Sequence, residues 1–414
     1  MYVSLRDRPG SDKEPESGSA VRRVSSTVIL LGVVSMLTDI SSESVSSILP
    51  LYLTAVVGLS PVAYGFLDGM YQGVSALVRL AGGYAADRHG QPKWVAVLGY
   101  GASALSRIAL LPAAGFAAIT AVVTGDRLGK GLRTAPRDAL IAESTDPKML
   151  GRAFGVHRTL DTIGAAIGPL VAFALLAAVP GDYDSIFVVS FAFAVVGVAV
   201  LVLFVPNLRT AAAKARVGFR VVLREVGGRK LRKPLIAAAV LGLLTVGDGF
   251  LYLALQERDD FAATYFPLLY VGTNVAYLAL AVPLGRLADR VGRAKVLVAG
   301  HGALLLSYLL AALPAGGLGL TLTTLMLLGV FYAATDGVLP ALISRLVSEE
   351  TRGSGIAAAQ TVVALARFAS SLLFGVYWSL RGPSQSLLVF GALLALAVPA
   401  AGWLLRGIDR AQVA

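Results

Sequence analysis

The groups in this chain that could do chemistry are charged side chains set in apolar sequence. The densest set lies within Thr124–Leu170, where Asp126, Arg127, Lys130, Arg133 and Arg137 crowd one segment. Spacings of four, three and four place Asp126, Lys130, Arg133 and Arg137 on a single helical face. Charge is costly in lipid, so such a face turns toward a bundle interior or a watery cavity. The alternative is that the helix has left the bilayer by Arg133, so that Arg133 and Arg137 are simply solvated.

Asp39 and Glu43 also lie four apart, as do Asp68 and Gln72, so each pair shares a face. A carboxylate that moves between apolar and arginine-paired surroundings takes up and releases a proton. Arg127 set against Asp39, Glu43 or Asp68 would therefore make a proton-coupling device. The competing reading is a set of permanent ion pairs. Arg107 and Arg367 fall near the middle of apolar stretches, where a guanidinium either grips an anionic substrate group or neutralises a buried acid. Arg79 and Arg158 lie in or near spans, with His157 and Asp161 close by. Asp248, Asp336 and Arg367 stand in the second half of the chain with Tyr252, Tyr270, Asn274 and Tyr332. The lower charge there suggests coupling in the first half and a more apolar substrate surface in the second. The expected cavity residues are Gln72, Arg107, Lys130, Asp248, Tyr252, Asn274, Asp336 and Arg367.

The elements that must position these groups are membrane spans. Of 414 residues, 56% are hydrophobic and 15% charged, with a mean hydropathy of +0.73. A soluble globule carries about 25% charged residues, so the composition is that of a polytopic membrane protein. Stretches long enough to cross a bilayer are read at 26–56, 61–85, 94–112, 115–142, 152–179, 184–205, 234–256, 262–287, 294–313, 317–346, 355–380 and 385–406. With the N-terminus inside, Arg22, Arg23, Arg88, Lys93, Lys148, Arg152, Arg290, Arg293, Lys295 and Arg352 fall on the cytoplasmic side. The opposite loops hold Asp182, Asp184, Glu257, Asp259 and Asp260, with Arg258 and Arg381 as their basic residues. Both termini are thus expected in the cytoplasm and the chain in the inner (plasma) membrane.

Residues 1–24 read as a polar cytoplasmic tail without a cleavable signal, and 407–414 as a short C-terminal tail. The basic stretch 207–233 reads as a linker, partly an amphipathic helix on the membrane surface. It separates bundles at 25–206 and 234–406. The two halves repeat. Gly83-Tyr-Ala-Ala-Asp87-Arg88-His-Gly90 matches Gly285-Arg-Leu-Ala-Asp289-Arg290-Val-Gly292, Pro136 and Gly151 are echoed by Pro340 and Gly353, and Asp39 has a counterpart in Asp248.

The doubled G-x-x-x-D-R-x-G motif resembles that of the major facilitator superfamily, over nearly the whole chain. The resemblance implies an all-α polytopic membrane protein, with twelve transmembrane helices in two pseudo-symmetric six-helix bundles. It also implies alternating access and a conformational latch at Gly83, Asp87, Arg88, Gly90, Gly285, Asp289, Arg290 and Gly292. Asp87 would meet the start of span eleven. Gln91 and Pro92 precede Lys93 where basic residues usually follow, which weakens the first copy.

Arg127-Leu-Gly-Lys130-Gly131 is similar to a span-four motif of drug/proton antiporters, with lysine in place of glutamine. Gly164-Ala-Ala-Ile-Gly168-Pro169 is similar to their span-five helix-bend motif, followed here by Ala172-Phe173 in place of a glycine pair. Small residues and a proline let helices pack closely and bend. The implied function is proton-coupled efflux of a small amphipathic organic compound. The alternative is symport or exchange of an organic anion bound by cavity arginines.

Other classes fit less well. There is no cysteine, and His89, His157 and His301 have no ligand spacing, which disfavours a metal exporter. The sequence holds no zinc-peptidase motif, singled-out serine–histidine–aspartate set or nucleotide P-loop, so a membrane enzyme or direct use of ATP is not expected. The formal charge of +11 is spread over alternate loops, not a nucleic-acid stripe. The expected partners are a small-molecule substrate, protons and the bilayer. No cofactor is expected, and the chain is expected to act as a monomer.

Overall fold

The computed structural model describes residues 24–71, 73–74, 78, 91–146, 149–207, 228–347, 352–406 and 408. Gln72, Arg79, the first latch copy at Gly83, Asp87, Arg88 and Gly90, and most of the linker lie outside the described residues. Helix α1, Ser26–Leu51, starts on Ser25, whose hydroxyl accepts from the Thr27 N–H at 3.3 Å. It runs on as a π-helical turn, Tyr52–Val56. Helix α2 is described over 61–71. Then come α3 (Pro92–Ala109), α4 (Gly115–Glu143), α5 (Leu150–Ala178) and α6 (Tyr183–Phe204). The second half holds α7 (Arg229–Leu243), α8 (Asp248–Asp259), α9 (Phe266–Val291), α10 (Arg293–Ala312), α11 (Leu318–Thr335), α12 (Val338–Ser344), α13 (Arg352–Arg381) and α14 (Pro383–Leu404).

Nine of the described helical segments are long and apolar enough to cross a membrane. Helix α4 is not among them, because its charges dilute its hydropathy. It stays helical to Glu143 nonetheless, and Arg133 is 5% exposed. The alternative that Arg133 is simply solvated is thereby corrected: it is buried among the helices.

Two expected spans are broken. The stretch 234–256 is split between α7 and α8, and α7 begins at Arg229, inside the expected linker, with Leu231 buried against Ile343 and Ala359. The stretch 317–346 is split at Asp336–Gly337 between α11 and α12. A helix break in lipid exposes backbone groups that water cannot satisfy, so the protein must do so itself. At the first break Tyr308 of α10 does this: its hydroxyl accepts from the Val246 N–H at 2.8 Å and donates to Leu244 O at 3.1 Å. Tyr308→Phe is expected to destabilise the protein by about 1–3 kcal/mol, the cost of stranding a buried donor. The thermal midpoint of detergent-solubilised protein checks this, and an unchanged midpoint would show that the break needs no cap.

Within the first half α1 packs on α5 and α6, and α3 on α4 and α6. In the second, α9 and α10 pack on α11, α10 on α14, and α7 on α13. Bare backbone sets the closest approaches. A Cβ at Gly99 would lie 2.8 Å from Gly129 O, and one at Gly168 would lie 2.9 Å from Ile40 O. The turn between α9 and α10 needs Gly292, whose φ of 113° L side chains rarely adopt.

The halves meet at the end of the bundle away from residues 26 and 404. There Gly65 abuts the Ser371 backbone, Gly375 abuts Pro61, and Phe368 covers Gly69. Rings continue the seam: Tyr64 and Phe250 have centroids 4.8 Å apart, Phe66 and Phe368 5.8 Å, and Phe173 and Tyr265 6.0 Å. At the opposite end the second latch copy acts inside its own half. Asp289 pairs with Arg293 at 2.7 Å, and Arg293 donates to Ala341 O at 2.6 Å, so the turn is tied to α12.

Candidate functional site

A cavity of about 600 Å³ lies between the halves. Leu297, Leu339, Pro340 and Gln360 line it near the starts of α10, α12 and α13; Tyr71, Arg127 and Asn274 line it deeper along their helices, with Asp248 at the break before α8. It therefore widens toward the end where α1 begins and α14 finishes, opposite the seam.

The first-half wall presents Tyr71, Arg127, Lys130 and Arg158. Arg127 bonds the carboxylate of Asp126, its neighbour in sequence, and lies over the Tyr71 ring with 3.4 Å to the centroid. The other Asp126 oxygen takes Arg107 of α3 at 2.7 Å. One buried carboxylate thus serves two buried guanidiniums, and Nε of each arginine has no hydrogen-bond partner among the described residues. Beyond this triad α1 and α4, running in opposite directions, form a ladder. Lys130 lies 4.0 Å from Glu43, and Arg133 lies 3.7 Å from Asp39. Arg133 also covers the Tyr100 ring at 4.5 Å. Asp39 lies beside Asp161 of α5, and Ser35 of α1 contacts His157 at 3.0 Å. Arg137 pairs with Asp138 at 2.9 Å.

The second-half wall is ionic too. Asp248 stands in the first turn of α8, directly after the break, and accepts a hydrogen bond from Tyr332. Asp336 stands at the second break. Arg367 of α13 is placed among the same groups, with Phe331 and Tyr332 ring centroids 5.9 and 6.0 Å away and its Nε without a hydrogen-bond partner among the described residues. Asp68 reaches across from α2. It accepts from the Ser371 hydroxyl at 2.6 Å and sits so close to Gly247 that any Cβ there would strike its carboxylate.

The structure redraws several expectations. Arg127 is paired with Asp126 and not with Asp39, Glu43 or Asp68; the partners of Asp39 and Glu43 are Arg133 and Lys130. Arg107 does not line the cavity but neutralises Asp126. Tyr252 is buried behind the wall, bonded to Thr273 at 2.8 Å and packed on Tyr270 at 4.5 Å. Lys130, Asp248, Asn274, Asp336 and Arg367 do line it. Among the described residues the aliphatic lining, Ala238, Leu241, Leu297, Leu339, Val363 and Ala364, comes from the second half, so that wall is the more apolar one, as expected, although both helix breaks place carboxylates in it. Tyr71, Tyr277 and Gln360 line the cavity without having been singled out in the sequence. Each is one polar group in an apolar span, and no spacing marks it. Of the bend motif, Gly164 lies on the Met36 backbone and Gly168 on Ile40 and Ser44, so these glycines seat α5 on α1, with Pro169 beside them.

This geometry of paired bundles around a central cavity agrees with comparison to known proteins. The family model of the Major Facilitator Superfamily matches residues 31–274 and again residues 246–413. The chain belongs to the major facilitator superfamily. It is therefore a multi-pass membrane transporter and not an enzyme. Among its relatives, an uncharacterized MFS-type transporter of Methanocaldococcus jannaschii is 30% identical over 387 residues, 91% of this chain and 94% of the relative. Among solved structures of this fold, the nucleoside transporter NupG superposes with a TM-score of 0.79 at 14% identity, over 92% of this chain and all of that one. A POT family transporter in complex with 5-aminolevulinic acid superposes with a TM-score of 0.78 at 11% identity, over 92% and 96% of the two chains. At such identities the likeness is one of fold.

Proposed function

We propose that this transporter couples proton exchange to the export of a small organic solute bearing an anionic group. The observation that carries this is the charge of the cavity lining. Among the described residues it presents Arg127, Lys130, Arg158 and Arg367 against Asp248 and Asp336. A solute carboxylate or phosphate entering from the wide end would meet Lys130 and Arg158 first, the more exposed of the four. With both termini in the cytoplasm, that wide end faces the cytoplasm and the seam closes the outer side.

Protons are assigned to two places. Asp39 and Asp161 can hold one between them, beside Arg133. Asp68 touches the second half directly, so a change in its charge acts on the seam. The superfamily fold carries nucleosides, peptides and organic anions in its solved members, so the substrate class rests on the cavity and not on the fold. A second reading, export of an amphipathic compound without an anionic group, is favoured by Tyr71, Tyr277 and Tyr332 on the cavity surface.

Purified protein in liposomes with an imposed pH gradient and an internal pH dye tests both readings. Organic anions are expected to dissipate the gradient where lipophilic cations and neutral compounds do not. Asp68→Asn and Asp39→Asn are each expected to abolish exchange. Lys130→Gln is expected to raise the half-saturating concentration about tenfold, one charge-assisted contact's worth. Dissipation by cations or neutral compounds alone would select the second reading, and none by any class would sink proton exchange.

A further inference from the structure

A second cavity, of about 970 Å³, lies at the end of the bundle where α9 passes into α10 and α14 finishes. It shares no lining residue with the central cavity. Its rim carries Arg290, Lys295, Arg345 and Arg406, all exposed. The acid beside them, Asp289, is already paired with Arg293 at 2.7 Å. None of the four rim cations has an ion pair among the described residues. Four like charges gathered without a counter-ion repel one another and call for an anion.

The inner wall has the opposite character. Val298, Ala299 and Gly302 of α10 face Val398 and Gly402 of α14. A Cβ at Gly302 would meet nothing within 4 Å, so the wall is a furrow and not a filled contact. The furrow opens toward lipid: Leu306 is 51% exposed on α10 and Leu396 72% exposed on α14. Trp403, 68% exposed at the same end, is placed as an interfacial anchor.

A rim of cations over an apolar furrow suits a ligand with a phosphate at one end and acyl chains at the other. We propose that this cavity binds an anionic phospholipid, its headgroup phosphate held by Arg290, Lys295, Arg345 and Arg406 and a chain lying in the furrow at Gly302 and Gly402. The second motif copy thereby gains a role besides its internal tie: its arginine, Arg290, belongs to a lipid site. Because the furrow continues into the exposed apolar belt, the lipid and not a free phosphate is the assigned occupant.

Native mass spectrometry of the detergent-purified full chain, equilibrated with equimolar phosphatidylglycerol and phosphatidylcholine, tests this. A phosphatidylglycerol preference of roughly fivefold for each cation engaged is expected. The double variant Arg345→Gln/Arg406→Gln should lose most of it, while Arg345→Lys/Arg406→Lys and the opposite-end control Arg381→Gln should keep it. Equal binding of the two lipids, or a preference untouched in the glutamine variant, would overturn the site. Displacement of phosphatidylglycerol by an equal concentration of glycerol phosphate would overturn the lipid assignment and leave an anion site.

Discussion

Asp126→Asn is expected to be among the most damaging single substitutions in this protein. The carboxylate is the shared partner of Arg107 and Arg127, and all three side chains lie away from solvent. Removing its charge strands two guanidiniums in a low-dielectric bundle, which costs about 3–5 kcal/mol for a buried pair that loses one partner. The thermal midpoint should fall sharply, and Arg127 should release Tyr71 at the cavity wall. Asp126→Asn combined with Arg107→Gln should recover part of the loss, because the second change removes a cation left without its partner. A double variant less stable than Asp126→Asn alone would mean that the triad is not held together by charge.

The second large effect is expected at Gly168. A Cβ there would lie 2.8 Å from the Glu43 Cβ and 2.9 Å from both Ile40 O and Ser44 N, two of them backbone atoms that cannot step aside. Gly168→Val must push α5 off α1, which loosens the bond from the Ser44 hydroxyl to Gly168 O, now 2.8 Å. Overpacking of this kind costs about 1–3 kcal/mol. Gly155, on the same helix, has nothing within 4 Å of its Cβ position. Gly155→Ala should therefore stabilise, by up to about 1 kcal/mol, because alanine is the better helix former. Opposite signs at two glycines of one helix, read as thermal midpoints, are the expected result. A tolerated Gly168→Val would show that the α1–α5 contact is looser than its geometry.

Much of this architecture was legible before any coordinates. Apolar run length gave the spans, because a bilayer sets one length and leaves little freedom. Helical spacing gave the faces: Asp39 and Glu43 do turn together toward α4, and Lys130 and Arg133 do face them. Spacing gives the direction in which a side chain points but not the helix it meets. Arg127 was therefore matched to distant acids when Asp126 beside it was the partner. The contact of Asp39 with Asp161 likewise depends on α5 lying against α1. The breaks near Gly247 and Gly337 were hidden because apolar windows average over a few polar residues. What marks the first break is a tyrosine on another helix, Tyr308, some 60 residues away in sequence.

The seam between the halves bears on how fast and how far the molecule can move. At Gly65 and Gly375 main chain lies on main chain, so parting there needs no side chain to change rotamer or withdraw from a socket. Speed and bias are then governed by different parts. The glycine stretches bear on the friction of opening, while the hydrogen bonds from Ser371 to Asp68 and from Thr264 to Leu176, with the ring pairs across the seam, bear on the preference for staying shut. Each tenfold change in the shut population corresponds to about 1.4 kcal/mol, so any one of these contacts contributes only a part. Removing the Ser371 hydroxyl is therefore expected to shift the balance between shut and parted forms by up to about tenfold, with little effect on how fast they exchange.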